Sequence, residues 1–116
     1  MKNKDSWVVD YVRKMAARGE ILFRQHALNR MGERKIWRDD VLKAIERGEN
    51  IHIQKPPTET GKNIKVFFQE ATDVNIPSFC VIVAVEHPYA QIITVYYFKE
   101  EKGWSYDENL KMWRHF

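Results

Sequence analysis

The stretch FRQHALNRMGERKI, residues 23 to 36, holds an imidazole and two guanidinium groups at four-residue intervals: His26, Arg30 and Arg34. On an α-helix these positions, which we call the His/Arg stripe, lie on nearly the same face, with Glu33 beside them. Two arginines one turn apart match successive phosphates, and a histidine that titrates near neutrality can move a proton. Glu33 can instead pair with Arg30, so that the stripe braces the fold. Spacing by itself favours the brace.

The strand-like stretch QIITVYYFK offers a second set of groups. Alternation predicts two sets of side chains: Ile93, Val95 and Tyr97 on one face, and Thr94, Tyr96 and Phe98 on the other. Tyr96 and Lys99 suit an open sheet surface that receives a nucleotide, with the ring on a base and the ammonium on a phosphate. A buried ring with its hydroxyl at the rim is the commoner arrangement for a strand tyrosine. Lys65 in NIKVFF is either a phosphate-binding group or an edge lysine that deters aggregation.

Two further basic groups are weaker candidates. His87 lies in the turn-like EHPY, where exposure is the commoner outcome, and Arg114 belongs to an aromatic C-terminal tail. The tail either stacks on bases or docks on the core, and docking is favoured because tryptophan is mostly buried. The four histidines lack the spacing of metal ligands, and a single cysteine cannot build a zinc site. We therefore expect no metal and no cofactor, and chemistry by side-chain acids, bases and cations.

Composition bounds the class of protein. A chain of 116 residues that is 44% hydrophobic and 13% aromatic predicts a single domain, 1–116, with one core. Its 19 basic and 16 acidic residues give a net charge of +3, a slight lean toward anionic partners. The longest apolar run, FCVIVAV, is too short to span a bilayer, and the N-terminus lacks the apolar segment of a signal peptide. Cys80, inside that run, cannot form an internal disulfide. These features predict a cytoplasmic protein with no membrane partner.

Hydrophobic periodicity places helices in the first half of the chain. Residues 5–18 carry an apolar stripe that ends at Gly19, and the His/Arg stripe occupies a second helix at about 25–34. A third helix is predicted between an N-cap at Asp39 and a stop at Gly48.

The second half of the chain has the pattern of β-strands. Four segments rich in Ile, Val, Phe and Tyr are separated by turn-type residues: NIHIQK, NIKVFFQE, SFCVIVAVE and QIITVYYFK. Short connections imply antiparallel pairing, since a parallel pair needs a long crossover. Near the C-terminus, Ser105 and Glu108 have capping-box spacing, which predicts a short terminal helix. The expected fold class is α+β, with N-terminal helices packed on one face of a four-stranded antiparallel sheet.

These residues also resemble a known bacterial family. FRQHALNRMGERKIWRDDVLKAIERGE is similar to the signature H-A-x-x-R-M-x-E-R-x-I, followed by D-V-L-x-A-I-x-x-G-E, of a family of unknown function. IITVYYF…W is similar to that family's closing I-T-V-Y strand, and the matches span residues 23 to 104. The signature positions in this chain are His26, Arg30, Glu33, Arg34, Thr94 and Tyr96. The family resembles RelE-type and MqsR-type mRNA interferases, which are toxins of toxin–antitoxin pairs. The resemblance therefore implies a RelE/MqsR-like fold and an RNA substrate.

Two positions depart from that family's pattern. The family often has glycine where Lys35 stands, so a left-handed helix end there would be strained or absent. Members also tend to carry a histidine at the start of the third strand, where this chain has Phe79 or Cys80. This departure either shifts the acid–base chemistry to His26 or His87 or favours a binding module without catalysis.

Two functions from different classes follow. The first is a metal-independent endoribonuclease, an mRNA interferase, that cleaves RNA by attack of the ribose 2′-OH on the adjacent phosphorus. Its expected catalytic residues are His26 as acid or base, Arg30 and Arg34 as phosphate clamps, and Tyr96 as an orienting or proton-donating group. The expected RNA-binding residues are Lys65, His87, Lys99 and Arg114, and the resemblance implies a zinc-finger or helix-turn-helix antitoxin as the protein partner. The alternative is a non-catalytic module that binds nucleic acid or protein, with the His/Arg stripe as a structural brace.

Overall fold

The structure, a computed structural model, describes residues 6–54, 64–69, 79–86, 89–101, 103–110 and 112–115. Within these residues the helices are α1 (Ser6–Ala17), α2 (Gln25–Arg34) and α3 (Arg38–Arg47). The three helices predicted for the first half of the chain are confirmed. No helix in this described part of the chain is long and apolar enough to cross a membrane.

Local chemistry fixes the ends of these helices. Gly19 follows α1 in the left-handed conformation, with φ of 71°, as expected for a glycine that ends a helix. α3 begins before the predicted cap at Asp39, because the carboxylate of Asp40 accepts a hydrogen bond from the Trp37 amide at 3.1 Å. α3 ends at Gly48, as predicted.

Lys35 ends α2 in the left-handed conformation, with φ of 56° and ψ of 41°. Of the two expected outcomes, a strained or an absent left-handed end, the structure has the first, since this conformation is strained for lysine. The Ile36 amide donates to the Met31 carbonyl at 2.9 Å, and the Ile36 side chain is buried. Burial of Ile36 and closure of the helix end offset the strain at Lys35.

The strands, in chain order, are β1 Leu22–Phe23, β2 Asn50–Gln54, β3 Ile64–Gln69, β4 Phe79–Glu86, β5 Tyr89–Tyr97, β6 Trp104–Asp107 and β7 Met112–His115. The first five form one sheet in the order β1-β5-β4-β3-β2, and β6 pairs with β7 in a separate hairpin. The four predicted strands are β2 to β5, which pair as the expected antiparallel meander.

The prediction of a four-stranded antiparallel sheet is wrong in one respect. β1 adds a fifth strand that pairs with β5 in parallel, so the sheet is mixed. Leu22 lies opposite Gln91, and the amide of Arg24 donates to the Ile92 carbonyl at 3.0 Å. These bonds satisfy backbone groups that an unpaired β5 edge would leave open. Two residues of strand are too short for periodicity to reveal, so the pairing follows from proximity in the folded chain.

The predicted C-terminal helix is wrong, because β6 and β7 form a hairpin there. The carboxylate of Asp107 accepts hydrogen bonds from the amides of Asn109 at 2.9 Å and Leu110 at 3.0 Å. This turn reverses the chain at the place where Ser105 and Glu108 predicted a first helical turn. In a helix that began at Ser105, the amides of Asn109 and Leu110 would donate to backbone carbonyls one turn earlier. Here they donate to the Asp107 side chain instead.

Contacts with the sheet hold the hairpin in place. The Trp113 amide donates to the side-chain oxygen of buried Gln69 at 2.8 Å. The Trp113 ring stacks on Phe98 at 4.8 Å between centroids, and Trp104 meets Phe98 edge to face at 5.1 Å. The aromatic tail therefore docks on the core, which is the outcome that tryptophan composition favours.

The two faces of the sheet carry two hydrophobic cores. The helix face packs against all three helices, as predicted, through residues that include Val12, Met31, Val41, Phe68, Val83, Ile92 and Val95. The opposite face, here called the hairpin face, carries a second core: Phe67, Cys80, Ile82, Tyr96, Phe98 and Trp104.

A bulge in β5 changes the predicted alternation of its side chains. The register with β4 passes from Ile92 to Thr94, so Ile93 is the additional residue. Ile93 packs on the hairpin face, whereas Val95 and Tyr97 pack on the helix face. The prediction that these three residues share one face is therefore wrong for Ile93, because one inserted residue inverts the alternation.

Candidate functional site

Helix α2 carries the His/Arg stripe at the side of the sheet formed by β5. Ala27 and Met31 are buried in the helix-face core and anchor α2 there. His26 is exposed to solvent, and the Arg30 side chain is 41% exposed one turn further on. The 3.6-residue period thus keeps two of the stripe's groups at the solvent, as the spacing predicts.

Ion pairs hold the second half of the stripe. The Arg30 guanidinium lies 2.9 Å from a Glu33 carboxylate oxygen, which is also 3.7 Å from Nη1 of Arg34. Nε and Nη2 of Arg34 both donate to one carboxylate oxygen of Glu100, at 3.1 and 2.9 Å. The Arg34 side chain is only 17% exposed. Arg34 is therefore a partly buried link between α2 and the turn after β5, and its charge is balanced by two carboxylates.

The tyrosine that meets α2 is Tyr97. Its hydroxyl donates to the backbone carbonyl of Arg34 at 2.6 Å, which joins the end of α2 to the end of β5. Sequence reasoning did not select Tyr97 or Glu100. The predicted alternation did place Tyr97 on the same face as Val95, and that face is the one that the helices cover. The alternation could therefore have selected Tyr97, but only if the face that the helices cover had been known from the sequence.

Tyr96 lies on the hairpin face, away from the stripe. Its hydroxyl accepts a hydrogen bond from the indole nitrogen of Trp104 at 2.9 Å, and the ring is buried. Burial raises the pKa of the Tyr96 phenol far above its ordinary value, and the Cys80 thiol beside it adds to the increase. The structure does not bring Tyr96 together with His26, Arg30 and Arg34. The expected orienting or proton-donating role at that site has no geometric support.

The predicted RNA-binding residues lie on separate elements. Lys65 is half-buried on β3, opposite Ala84 of β4, and Arg114 on β7 is exposed with its guanidinium 3.5 Å from Asp107. Lys99 is exposed in the turn after β5. It is adjacent in sequence to Glu100, which forms the ion pair with Arg34 of the stripe. His87 lies outside the described residues. The three described residues, Lys65, Lys99 and Arg114, thus lie on β3, in the turn after β5 and on β7, and no single element presents them together.

Phe79 and Cys80, where the family resemblance implies a strand histidine, are both buried. Phe79 packs in the helix-face core, and Cys80 lies opposite Tyr96 in the hairpin-face core. Neither residue supplies an acid or a base to the surface of α2, where His26 is the exposed histidine. Among the residues that the structure describes, no group of three or more His, Cys, Asp or Glu is placed to hold a metal ion.

Positive charge is concentrated around α2. Residues 24–38 contain one acidic side chain, Glu33, and five basic ones: Arg24, Arg30, Arg34, Lys35 and Arg38. Five positive charges and one negative give this segment +4, more than the +3 of the whole chain. Apart from half-buried Arg30 and Arg34, the basic residues of this set are exposed. The segment, which we call the cationic segment, is the part of the chain best suited to an anionic ligand.

The fold and this site define a class: an α+β domain with three helices on one face of a mixed sheet and a cationic helix at its edge. Residues 23–97 match the family described as Domain of unknown function (DUF4258), and the chain belongs to that family. The expected membership of a family of unknown function is confirmed at this level. No curated protein and no solved structure matches the chain. The matched range begins at Phe23, the second residue of β1, and includes α2, α3 and β2 to β5; it leaves out α1 and the hairpin.

Proposed function

We propose that this domain binds RNA along the cationic segment and cleaves it there as a metal-independent endoribonuclease of the mRNA-interferase type. The observation that carries the proposal is the placement of His26 and Arg30 one turn apart on the open side of α2. A phosphate on Arg30 would lie beside the imidazole of His26, a side chain that can both accept and donate a proton. The net charge of the segment supplies the attraction for the RNA backbone.

The cleavage step needs one acid–base group and one cation. His26 takes the proton of the ribose 2′-OH, and the oxygen forms a bond to the adjacent phosphorus. The bond from phosphorus to the 5′ oxygen of the next nucleotide breaks, and the imidazolium of His26 returns the proton to that oxygen. Arg30 stabilises the charge on the non-bridging oxygens. The products are a 2′,3′-cyclic phosphate and a free 5′-hydroxyl.

Glu33 must release Arg30 when RNA binds. The Arg30–Glu33 pair is exposed on the surface of one helix, and such pairs contribute only about 0–1 kcal/mol. A phosphate that accepts two hydrogen bonds from the guanidinium can therefore replace Glu33. Arg34, in contrast, is held by Glu100 and acts as a positioning residue that fixes the end of α2.

The test is cleavage of a labelled single-stranded RNA in the presence of EDTA. Wild-type protein is expected to release fragments with 2′,3′-cyclic phosphate ends. His26→Ala should bind the same RNA and leave it intact, whereas Asn29→Ala, an exposed change on the same helix, should cleave normally. Arg30→Ala should reduce cleavage by roughly a hundredfold, as loss of one charge-stabilising donor does. Arg47→Ala, an exposed arginine at the end of α3, is its matched control. Intact RNA with wild-type protein would refute cleavage.

The second candidate is a binding module without catalysis, in which the stripe is a brace. It is favoured by the ion pairs that hold Arg34 and by the position of Tyr96 on the other side of the sheet. This candidate predicts that wild-type protein retains RNA without cutting it and that His26→Ala changes neither property. Arg34→Met should then lower the melting temperature while the affinity for RNA stays the same.

A toxin role with a zinc-finger or helix-turn-helix antitoxin is part of the first proposal. A ribonuclease that no partner inhibits would cleave cellular RNA, which is the chemistry behind a toxin role. Induced expression in bacteria should stop growth, and His26→Ala should relieve the arrest at equal protein level. Growth of the wild-type strain at the uninduced rate would contradict the toxin role.

A further inference from the structure

Trp37 has the most exposed side chain among the exposed large hydrophobic residues of the described chain, at 74%. It lies in the connection between α2 and α3, at the position before α3 begins. Tryptophan is highly buried on average, so an indole this exposed is uncommon, and the charges beside it decide what it could contact. The other tryptophan exposed to a similar degree, Trp7 on α1, is 54% exposed and lies outside the cationic segment.

The backbone of Trp37 is fixed although its ring is free in solvent. Its amide donates to the Asp40 carboxylate at 3.1 Å, and its carbonyl accepts from the Val41 amide at 3.2 Å. Both bonds use main-chain atoms that any residue except proline supplies, so the start of α3 does not require an indole. The ring is thus presented on a rigid support, which lowers the entropy lost on binding.

The charges around Trp37 indicate what it contacts. Exposed Lys35 and Arg38 lie on either side of it in sequence, and the Arg38 guanidinium is held over the Phe23 ring at 4.7 Å. Asp39 is the exposed carboxylate nearby, and Asp40 is occupied by the Trp37 amide. An aromatic ring between two cations is the arrangement that binds single-stranded nucleic acid, with a base on the ring and phosphates on the cations. An apolar protein surface would offer neither cation an anionic partner.

We propose that Trp37 is a stacking platform for an unpaired RNA base, and that Lys35 and Arg38 bind the phosphates on either side of that base. The choice of RNA rests on the proposed function, and the inference deepens it by naming single-stranded RNA as the substrate class. A base in a duplex is covered by its neighbours, so a paired region does not offer its face to the indole. Cleavage at His26 would then occur beside a segment of unpaired message.

The test measures affinity by fluorescence anisotropy with a labelled single-stranded RNA and a blunt duplex of the same sequence. Trp37→Ala should weaken binding of the single strand by roughly tenfold or more, as loss of one stacked base does, and should leave duplex binding unchanged. Trp37→Phe should restore part of the affinity. Trp7→Ala is the matched control, and circular dichroism on each variant checks that the fold is retained.

Salt dependence separates stacking from charge. The slope of log affinity against log salt for the single strand should be unchanged in Trp37→Ala, and should fall by about 0.7 in Lys35→Ala and in Arg38→Ala. Equal losses for single-stranded and duplex RNA, or wild-type affinity in Trp37→Ala, would overturn the stacking role while RNA binding and cleavage by the wild type still stand. Failure of the wild type to bind either RNA would overturn the proposed function together with this inference.

Discussion

At the scale of single residues, two adjacent tyrosines have separate tasks. Tyr97 donates to the Arg34 carbonyl on the helix face, while Tyr96 accepts from Trp104 on the hairpin face. Side chains of neighbouring strand residues point to opposite faces, so the two hydroxyls serve different cores. The residue predicted to join the cleavage chemistry is thus a core residue of the hairpin, and its neighbour fixes α2.

Replacement of Tyr96 by phenylalanine tests this assignment. Tyr96→Phe removes the acceptor of the buried Trp104 indole N–H and should cost about 1–2 kcal/mol of unfolding free energy, measured by urea denaturation. RNA cleavage should not change. Because the folded-state pKa of Tyr96 is raised, its contribution is present below the ordinary value of 10.0 and declines as the pH rises above it. The variant should therefore lose less stability than wild type as the pH rises above about 10. A large loss of cleavage in a folded Tyr96→Phe protein would restore the catalytic role.

Lys35 provides a second prediction at this scale. Lys35 is in the left-handed conformation, which costs a residue other than glycine about 1–2 kcal/mol of folding free energy. Glycine avoids this strain but loses more backbone entropy on folding, so its net advantage is smaller. Lys35→Gly should therefore be more stable than Lys35→Ala by about 1 kcal/mol in thermal or urea unfolding. Both variants lose the same charge, so the comparison isolates the backbone. Equal stability of the two would show that the helix end relaxes out of this conformation.

At the scale of elements, the hairpin shows how a short turn is stabilised by one carboxylate. Hydrogen bonds from the amides of Leu110 and Asn109 lower the pKa of Asp107 below its ordinary value, and Arg114 adds to the effect. The same bonds replace the predicted helix with a reversal. β6 and β7 then place Trp104 and Trp113 against Phe98, which closes the hairpin-face core.

The turn should respond to acid. Since the folded-state pKa of Asp107 is lowered, its stabilisation is present above the ordinary value of 3.8 and is lost as the pH falls below it. The melting temperature of wild type should therefore fall relative to Asp107→Asn as the pH falls below about 4, because asparagine keeps the acceptor without ionising. Parallel curves for the two proteins in that range would contradict the role of the charged carboxylate.

At the scale of the whole molecule, the helical layer and the sheet meet at Gly48. Its backbone is extended, with φ of −75° and ψ of 168°, so conformation does not require glycine. Space does: a Cβ there would collide with the carbonyl oxygens of Gln69 and Ala44. Arg13 reinforces this junction, donating to the Ile45 and Gly48 carbonyls at 2.9 Å each. α1, the end of α3 and the end of β3 are thus joined at one point.

A single added methyl group should disrupt this junction. Gly48→Ala is expected to destabilise the fold by about 3 kcal/mol, since the colliding atoms are backbone and cannot rotate away. Gly32→Ala is the matched control, because nothing lies within 4 Å of a Cβ there and the helix should gain about 0.5–1 kcal/mol. Melting curves of both variants give the comparison. A Gly48→Ala protein as stable as wild type would show that the two layers can separate slightly without cost.

The sequence by itself determined the elements whose signals are local. Apolar periodicity located α1, α2 and α3, runs of β-branched residues located β2 to β5, and short loops implied the antiparallel order. The sequence also placed His26 and Arg30 one turn apart, because helical spacing is fixed by the 3.6-residue period. Only the tertiary structure decided what these elements meet. Two contacts join residues far apart in the chain: the pairing of β1 with β5 and the Arg34–Glu100 ion pair. The bulge at Ile93 is set by the pairing of β5 with β4. Such contacts depend on which backbone edges and faces remain open after the layers pack, and no local pattern encodes that.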